Sequence, residues 1–110
     1  MAPDSEFALR ALRALKRDPE LSQRALAREL NLALSKTHYL VAALVDAGMV
    51  RAQAFKNSRD KRAYVYALTP KGVREKARLT KAFLVRKEAE FEALRQELEA
   101  LREEVKNGGA

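Results

Sequence analysis

The sequence predicts a mainly α-helical fold with one small β-hairpin, followed by a long C-terminal helix with a coiled-coil pattern. Three observations carry this expectation. Apolar residues recur at helical spacing in three short segments between Ser5 and Ala47. The period then changes to that of strands in two runs separated by a polar stretch. From Thr69-Pro70 onward helical spacing returns and holds to about Lys106.

The first helix is expected over Ser5–Arg17, where Leu9, Leu12 and Leu15 fall on neighbouring turns with Phe7, Ala8, Ala11 and Ala14 beside them. Asp4 or Ser5 caps it, and Asp18-Pro19 ends it, because proline disfavours the helical conformation of its predecessor. Ser22 stands at the N-cap of a second helix whose apolar face is Ala25, Leu26, Ala27 and Leu30. Asn31 follows where a left-handed residue is needed, asparagine being second only to glycine there. A third helix starts at Leu34 or Ser35 and runs to Ala47, burying Thr37, Leu40, Val41, Leu44 and Val45, with Gly48 closing it. Two short helices separated by a few residues make a helix-turn-helix pattern.

Met49 to Phe55 and Arg62 to Leu68 suit two strands, and Lys56–Lys61 between them is polar and turn-rich. A hairpin directly after a helix-turn-helix makes the expected fold a winged helix-turn-helix. Tyr64 and Tyr66 are expected to line the core under the hairpin. Thr69 then caps the last helix and Pro70 occupies its first position; Gly72, in the first turn, should do little harm. With Leu98 at heptad position a, Ala77, Leu84, Phe91, Leu98 and Val105 are a residues, and Val73, Thr80, Lys87, Leu94 and Leu101 are d residues. The seam is sound from Phe91 to Val105 and weak at Thr80 and Lys87, the positions that would mark a kink. Self-association through Leu84, Phe91, Leu94, Leu98, Leu101 and Val105 is expected, because so small a chain cannot cover this stripe itself. The expected organisation is a body over residues 1–70 and a pairing helix with a frayed tail over 71–110.

Charge sharpens the division. Of 22 Lys and Arg and 15 acids, residues 1–87 hold 19 and 8, whereas residues 88–110 hold 3 and 7. A strongly basic body favours an anionic partner, and the acidic segment is set apart from it. With no cysteine there is no disulfide framework and no thiolate metal site, and His38 is the only histidine. Enzymatic activity, a cofactor and a metal are therefore not expected. The glutamates of the last helix read as a solvated face, with Arg102 set against Glu99 and Glu103. No run of apolar residues reaches transmembrane length, and the N-terminal residues lack a secretory pattern, so a cytoplasmic location is expected.

In a helix-turn-helix the second helix enters the major groove and its early outward residues meet base edges. Those residues here are Leu34, Ser35, Lys36, His38 and Tyr39, with Thr37 turned inward; Ser35, Lys36, His38 and Tyr39 are the ones expected to bind DNA. Ser22, Gln23 and Arg24 open the preceding helix, whose N-terminal amides suit a phosphate. Lys56, Asn57, Arg59, Lys61 and Arg62 form a basic hairpin tip suited to the flanking backbone or minor groove.

The chain from Leu26-Ala27-Arg28-Glu29-Leu30-Asn31-Leu32 through Leu40, Leu44, Gly48, Met49 and Val50 resembles the helix-turn-helix of MarR-type regulators. Residues 56–64 and Leu68-Thr69-Pro70-Lys71-Gly72 resemble that family's wing and following helix. The wing together with Glu75-Lys76-Ala77-Arg78-Leu79-Thr80 is similar to the exopolysaccharide-associated MarR subgroup, and the resemblance spans about residues 5–106. It implies a homodimeric repressor on a pseudo-palindromic operator. Ala33 stands where the family often has a capping serine, and Asn31 where it has glycine. One helix after the wing leaves little room for a small-molecule effector pocket. The expected function is sequence-specific binding of double-stranded DNA in transcriptional regulation. The alternative is a winged-helix adaptor that holds a protein partner without DNA, and attachment to an anionic membrane is a weaker third reading.

Overall fold

The structure is a computed structural model, and it describes residues 5–54 and 64–108. Four helices and one hairpin follow in the order α1 (Ser5–Arg17), α2 (Gln23–Leu30), α3 (Leu34–Asp46), β1 (Val50–Ala54), β2 (Tyr64–Leu68) and α4 (Pro70–Lys106). The chain divides into two units, Met1–Thr80 and Lys81–Ala110.

In the first unit α1 supplies the centre of the core: Leu9, Leu12 and Leu15 are fully buried with Ala8, Ala11 and Ala14 between them. Leucines at three-residue spacing, separated by alanines, let neighbouring elements approach α1 closely while filling the space between. Leu26 and Leu30 of α2, Leu40, Val41 and Leu44 of α3, Val50 of β1 and Tyr66 of β2 join Ala8, Ala11, Leu12, Ala14 and Leu15 in one cluster. Arg17 pairs with Glu29 at 2.6 Å and Arg10 donates to the Glu29 carbonyl at 3.1 Å, tying α1 to α2 at the surface.

Local chemistry sets the boundaries. Ser22 Oγ accepts from the Ala25 amide at 3.1 Å and opens α2 as expected. Asn31 adopts the left-handed conformation (φ 56°, ψ 45°), and the Asn31 and Leu32 amides close α2 by donating to the Arg28 and Ala27 carbonyls. Gly48, at φ 75°, closes α3 in the same way, its amide and that of Met49 donating to Val45 and Leu44. Both helices thus end in a Schellman motif. Ala33 provides no side-chain cap, yet α3 starts at Leu34 rather than Ser35: the Ala33 carbonyl already accepts the Thr37 amide and the Thr37 hydroxyl, both at 3.0 Å. Val45 is half-buried at the edge of the core instead of inside it.

The strands pair antiparallel in the register Val50↔Leu68, Ala52↔Tyr66 and Ala54↔Tyr64. β1 begins one residue later than expected because the Met49 amide belongs to the helix-closing turn. Val50 and Tyr66 face the core on the alternation that a half-buried strand requires. The Tyr66 amide donates to the Pro19 carbonyl at 2.9 Å, anchoring β2 to the α1–α2 turn. The side chain of Tyr64, and the expected hairpin tip at residues 56–61, lie outside the described residues.

Thr69 caps α4 as expected, accepting from the Gly72 amide at 3.1 Å, and its hydroxyl donates to Gly48 O. Gly72 is more than harmless: a Cβ there would overlap the Met49 carbonyl, so only glycine lets α4 start this close to the turn after α3. The first unit takes in these opening turns, with Gly72 buried and Leu79 packed against the core.

In the second unit the helix continues without interruption through Lys87 to Lys106. Leu84, Phe91, Leu94, Leu98, Leu101 and Val105 are all exposed, from 41% for Leu98 to 75% for Val105. Arg95 organises the charges, binding Glu92 and Glu99, each at 2.6 Å. The expected grouping of Arg102 with Glu99 and Glu103 gives way to this one: Arg102 also lies within helical reach of Glu99, but Glu99 pairs with Arg95, which holds Glu92 as well. Lys87 pairs with Glu90 at 3.0 Å.

Candidate nucleic-acid interface

The start of α2 and the first turns of α3 meet at the surface. Ser35, Lys36, His38 and Tyr39 are exposed on α3, whereas Thr37 is completely buried. The division follows from helical geometry: Thr37, Leu40, Val41 and Leu44 share the inward face, so the residues between them are turned out. Tyr39 leaves 62% of its surface to solvent, which sets it apart from a packing tyrosine. Ser22 and Arg24 are exposed at the opening of α2, and Gln23 between them is half-buried.

Gln23 brings the two helices together. Its Oε1 lies 3.0 Å from Nδ1 of His38, and its Nε2 donates to the Tyr66 hydroxyl at 3.0 Å. Its amide is thereby engaged on both sides, by α3 and by the hairpin. Sequence reasoning placed Gln23 beside Arg24 as a backbone-contacting residue and Tyr66 in the core, but nothing in the local pattern joined them. Tyr66 is buried as expected, and its hydroxyl reaches the edge of the surface where Gln23 and His38 stand.

Of the residues expected to contact DNA, Ser22, Gln23, Arg24, Ser35, Lys36, His38 and Tyr39 therefore sit on two adjoining helix openings. Lys56, Asn57, Arg59, Lys61 and Arg62 lie outside the described residues. Among the described residues no group of three or more His, Asp or Glu side chains is placed to hold a metal. No helix among them is long and apolar enough to cross a membrane.

A three-helix body with two adjoining helix openings on its surface, closed by a hairpin that leads into a further helix, decides the architecture. The fold is a winged helix-turn-helix. Residues 4–51 match the family model described as winged helix-turn-helix DNA-binding. Among curated proteins none matches the chain. Solved structures do. A MarR transcriptional regulator from Methanosarcina mazei is 25% identical with a TM-score of 0.65, over 93% of this chain and 76% of that one. The adhesin competence repressor AdcR from Streptococcus pyogenes is 19% identical with a TM-score of 0.68, over 96% and 78%. The transcriptional repressor CouR, solved bound to a 23-mer DNA duplex, is 23% identical with a TM-score of 0.65, over 93% and 72%. The winged helix-turn-helix is thus shared with MarR-family regulators along most of the chain.

Proposed function

We propose that the protein is a sequence-specific, duplex DNA-binding transcriptional regulator of the MarR type, acting in the cytoplasm as a homodimeric repressor without enzymatic activity. The observation that carries this reading is the joint surface of α2 and α3, where Ser22 and Arg24 adjoin Ser35, Lys36, His38 and Tyr39 through the Gln23–His38 contact. A helix entering the major groove presents such early outward residues to base edges, and the opening of the helix before it holds a phosphate. The DNA-bound CouR structure supports duplex DNA as the partner. The wing cations Lys56, Arg59, Lys61 and Arg62, with Asn57, would follow the flanking backbone. Residues 1–70 then read the duplex and 71–110 hold the pair together. The likeness to exopolysaccharide-associated MarR regulators, carried by the wing and residues 75–80, points to polysaccharide genes as targets.

Two features support pairing through α4. Its a and d residues from Phe91 to Val105 are apolar and exposed. The flanking charges also match: Glu90 and Glu97 occupy g positions, and Arg95 and Arg102 occupy the e positions of the following heptads. In a parallel pair each of these glutamates faces an arginine of the other copy, whereas an antiparallel pair opposes like charges.

Selection of bound duplexes from a random pool tests the reading as a whole. A pseudo-palindromic site should emerge, with log K falling as log salt rises. Arg24→Ala and Arg59→Ala should each flatten that slope by about 0.9, the loss of one neutralised phosphate. Binding indifferent to salt, or a pool that yields no enriched sequence, would sink the proposal.

A further inference from the structure

Three residues from three elements form one hydrogen-bonded chain that ends at the proposed reading surface. Tyr66 stands on β2, 92% buried, with its backbone fixed to Pro19. Gln23, 43 residues away in sequence, donates to the Tyr66 hydroxyl through Nε2 at 3.0 Å. With the Tyr66 hydroxyl accepting from Nε2, the Gln23 oxygen is the amide atom that faces His38. An amide oxygen can only accept, so the 3.0 Å contact with Nδ1 of His38 requires the proton to sit on Nδ1. A neutral imidazole protonated at Nδ1 has a bare Nε2 on the far edge of its ring, and His38 is exposed.

We infer that the Tyr66–Gln23–His38 chain fixes the hydrogen-bonding polarity of His38, making Nε2 an acceptor that selects a base carrying an exocyclic amine. In the major groove such an acceptor matches the N6 amine of adenine or the N4 amine of cytosine. It opposes N7 and O6 of guanine and O4 of thymine, which are acceptors themselves. Gln23 is on this account a positioning residue: it sets what His38 can accept without touching the base. The base-selection half of the inference rests on the DNA-binding reading above; the polarity of the ring does not.

Two measurements on the full chain separate the halves. Long-range proton–nitrogen correlation of the His38 ring at pH 8.5, without DNA, should show a protonated Nδ1 and a bare Nε2. The opposite tautomer, or an averaged pair of nitrogen shifts, overturns the inference. Gln23→Leu and Tyr66→Phe, each checked for a native-like thermal transition, should both move the ring toward the averaged pair; an unchanged spectrum in both overturns it too. In duplexes selected from a random pool, the half-site position whose preference is lost in His38→Ala should favour adenine or cytosine by about fivefold, the low end of what a base contact discriminates. Gln23→Leu should flatten that position alone. A preference for guanine or thymine there, or one untouched by Gln23→Leu, defeats the inference while leaving DNA binding intact. A pool that yields no duplex defeats DNA binding, and the ring spectrum still decides the polarity.

Discussion

Gly72 holds the junction between the winged helix-turn-helix body and the long helix at the level of single atoms. The Thr69 amide donates to the Met49 carbonyl at 3.0 Å, and Lys71 Nζ donates to the Ala47 carbonyl at 2.8 Å, so three consecutive carbonyls after α3 are taken up by the start of α4. The glycine is what permits this approach, since an added Cβ would meet both the oxygen and the carbon of the Met49 carbonyl. Helix propensity alone favours Gly72→Ala by up to about 1 kcal/mol. The clash reverses the sign, and the variant should lose about 1–3 kcal/mol, the range of an overpacked site. Urea unfolding measures this directly, and a midpoint above wild type would show that the junction yields. This requirement was invisible in the sequence because it arises from the approach of Met49 and not from the neighbours of Gly72. Ser22 and Asn31 were legible for the opposite reason: a cap oxygen and a left-handed turn are satisfied within a few residues of themselves. The Gln23 network shares the position of Gly72, since only the folded hairpin brings Tyr66 to it.

At the scale of elements, the order of helices and strands was legible throughout the described residues because each element carries its own period and its own stop signals. The charge pairs of α4 were less so, since arginines at several spacings compete for the same glutamates. Arg95 prevails, and its hydrogen bond to Glu92 holds the Glu92 carboxyl below the usual carboxylate range, with Gln96 adding a smaller push in the same direction. A carboxyl whose folded value is depressed stabilises the fold above its unfolded value and loses that contribution as pH falls through the folded one. Arg95→Gln should therefore lower the thermal midpoint of the second unit at neutral pH, and the difference from wild type should fade as the pH is taken below the ordinary carboxylate range. Paired melts by circular dichroism at several pH values check this. A gap that persists in acid would mean that the arginine acts through its packing rather than through Glu92. The effect should be small and sensitive to salt, because both side chains are about half exposed.

At the scale of the whole molecule, the two units have opposite chemistry, and each is incomplete in its own way. The first has a filled core and a basic composition that suits a polyanion; the second keeps its large side chains exposed, Phe91 at 67%. On the proposed reading the second unit exists to double the first. Leu98→Asp places a charge in the middle of the sound part of the seam, between Leu94 and Leu101, where no cation at a or d can answer it. Sedimentation should then change from dimer to monomer, while the thermal transition of the first unit stays where it was, because Leu98 lies outside its core. Operator affinity should fall by about a hundredfold or more, since the second half-site no longer gains from the effective concentration that linkage supplies. Affinity for a lone half-site should be unchanged. Electrophoretic mobility shifts on full and half operators distinguish these outcomes. Equal losses on both would place α4 in the reading of DNA itself, and a Leu98→Asp protein that still sediments as a dimer would move the pairing surface off this seam altogether.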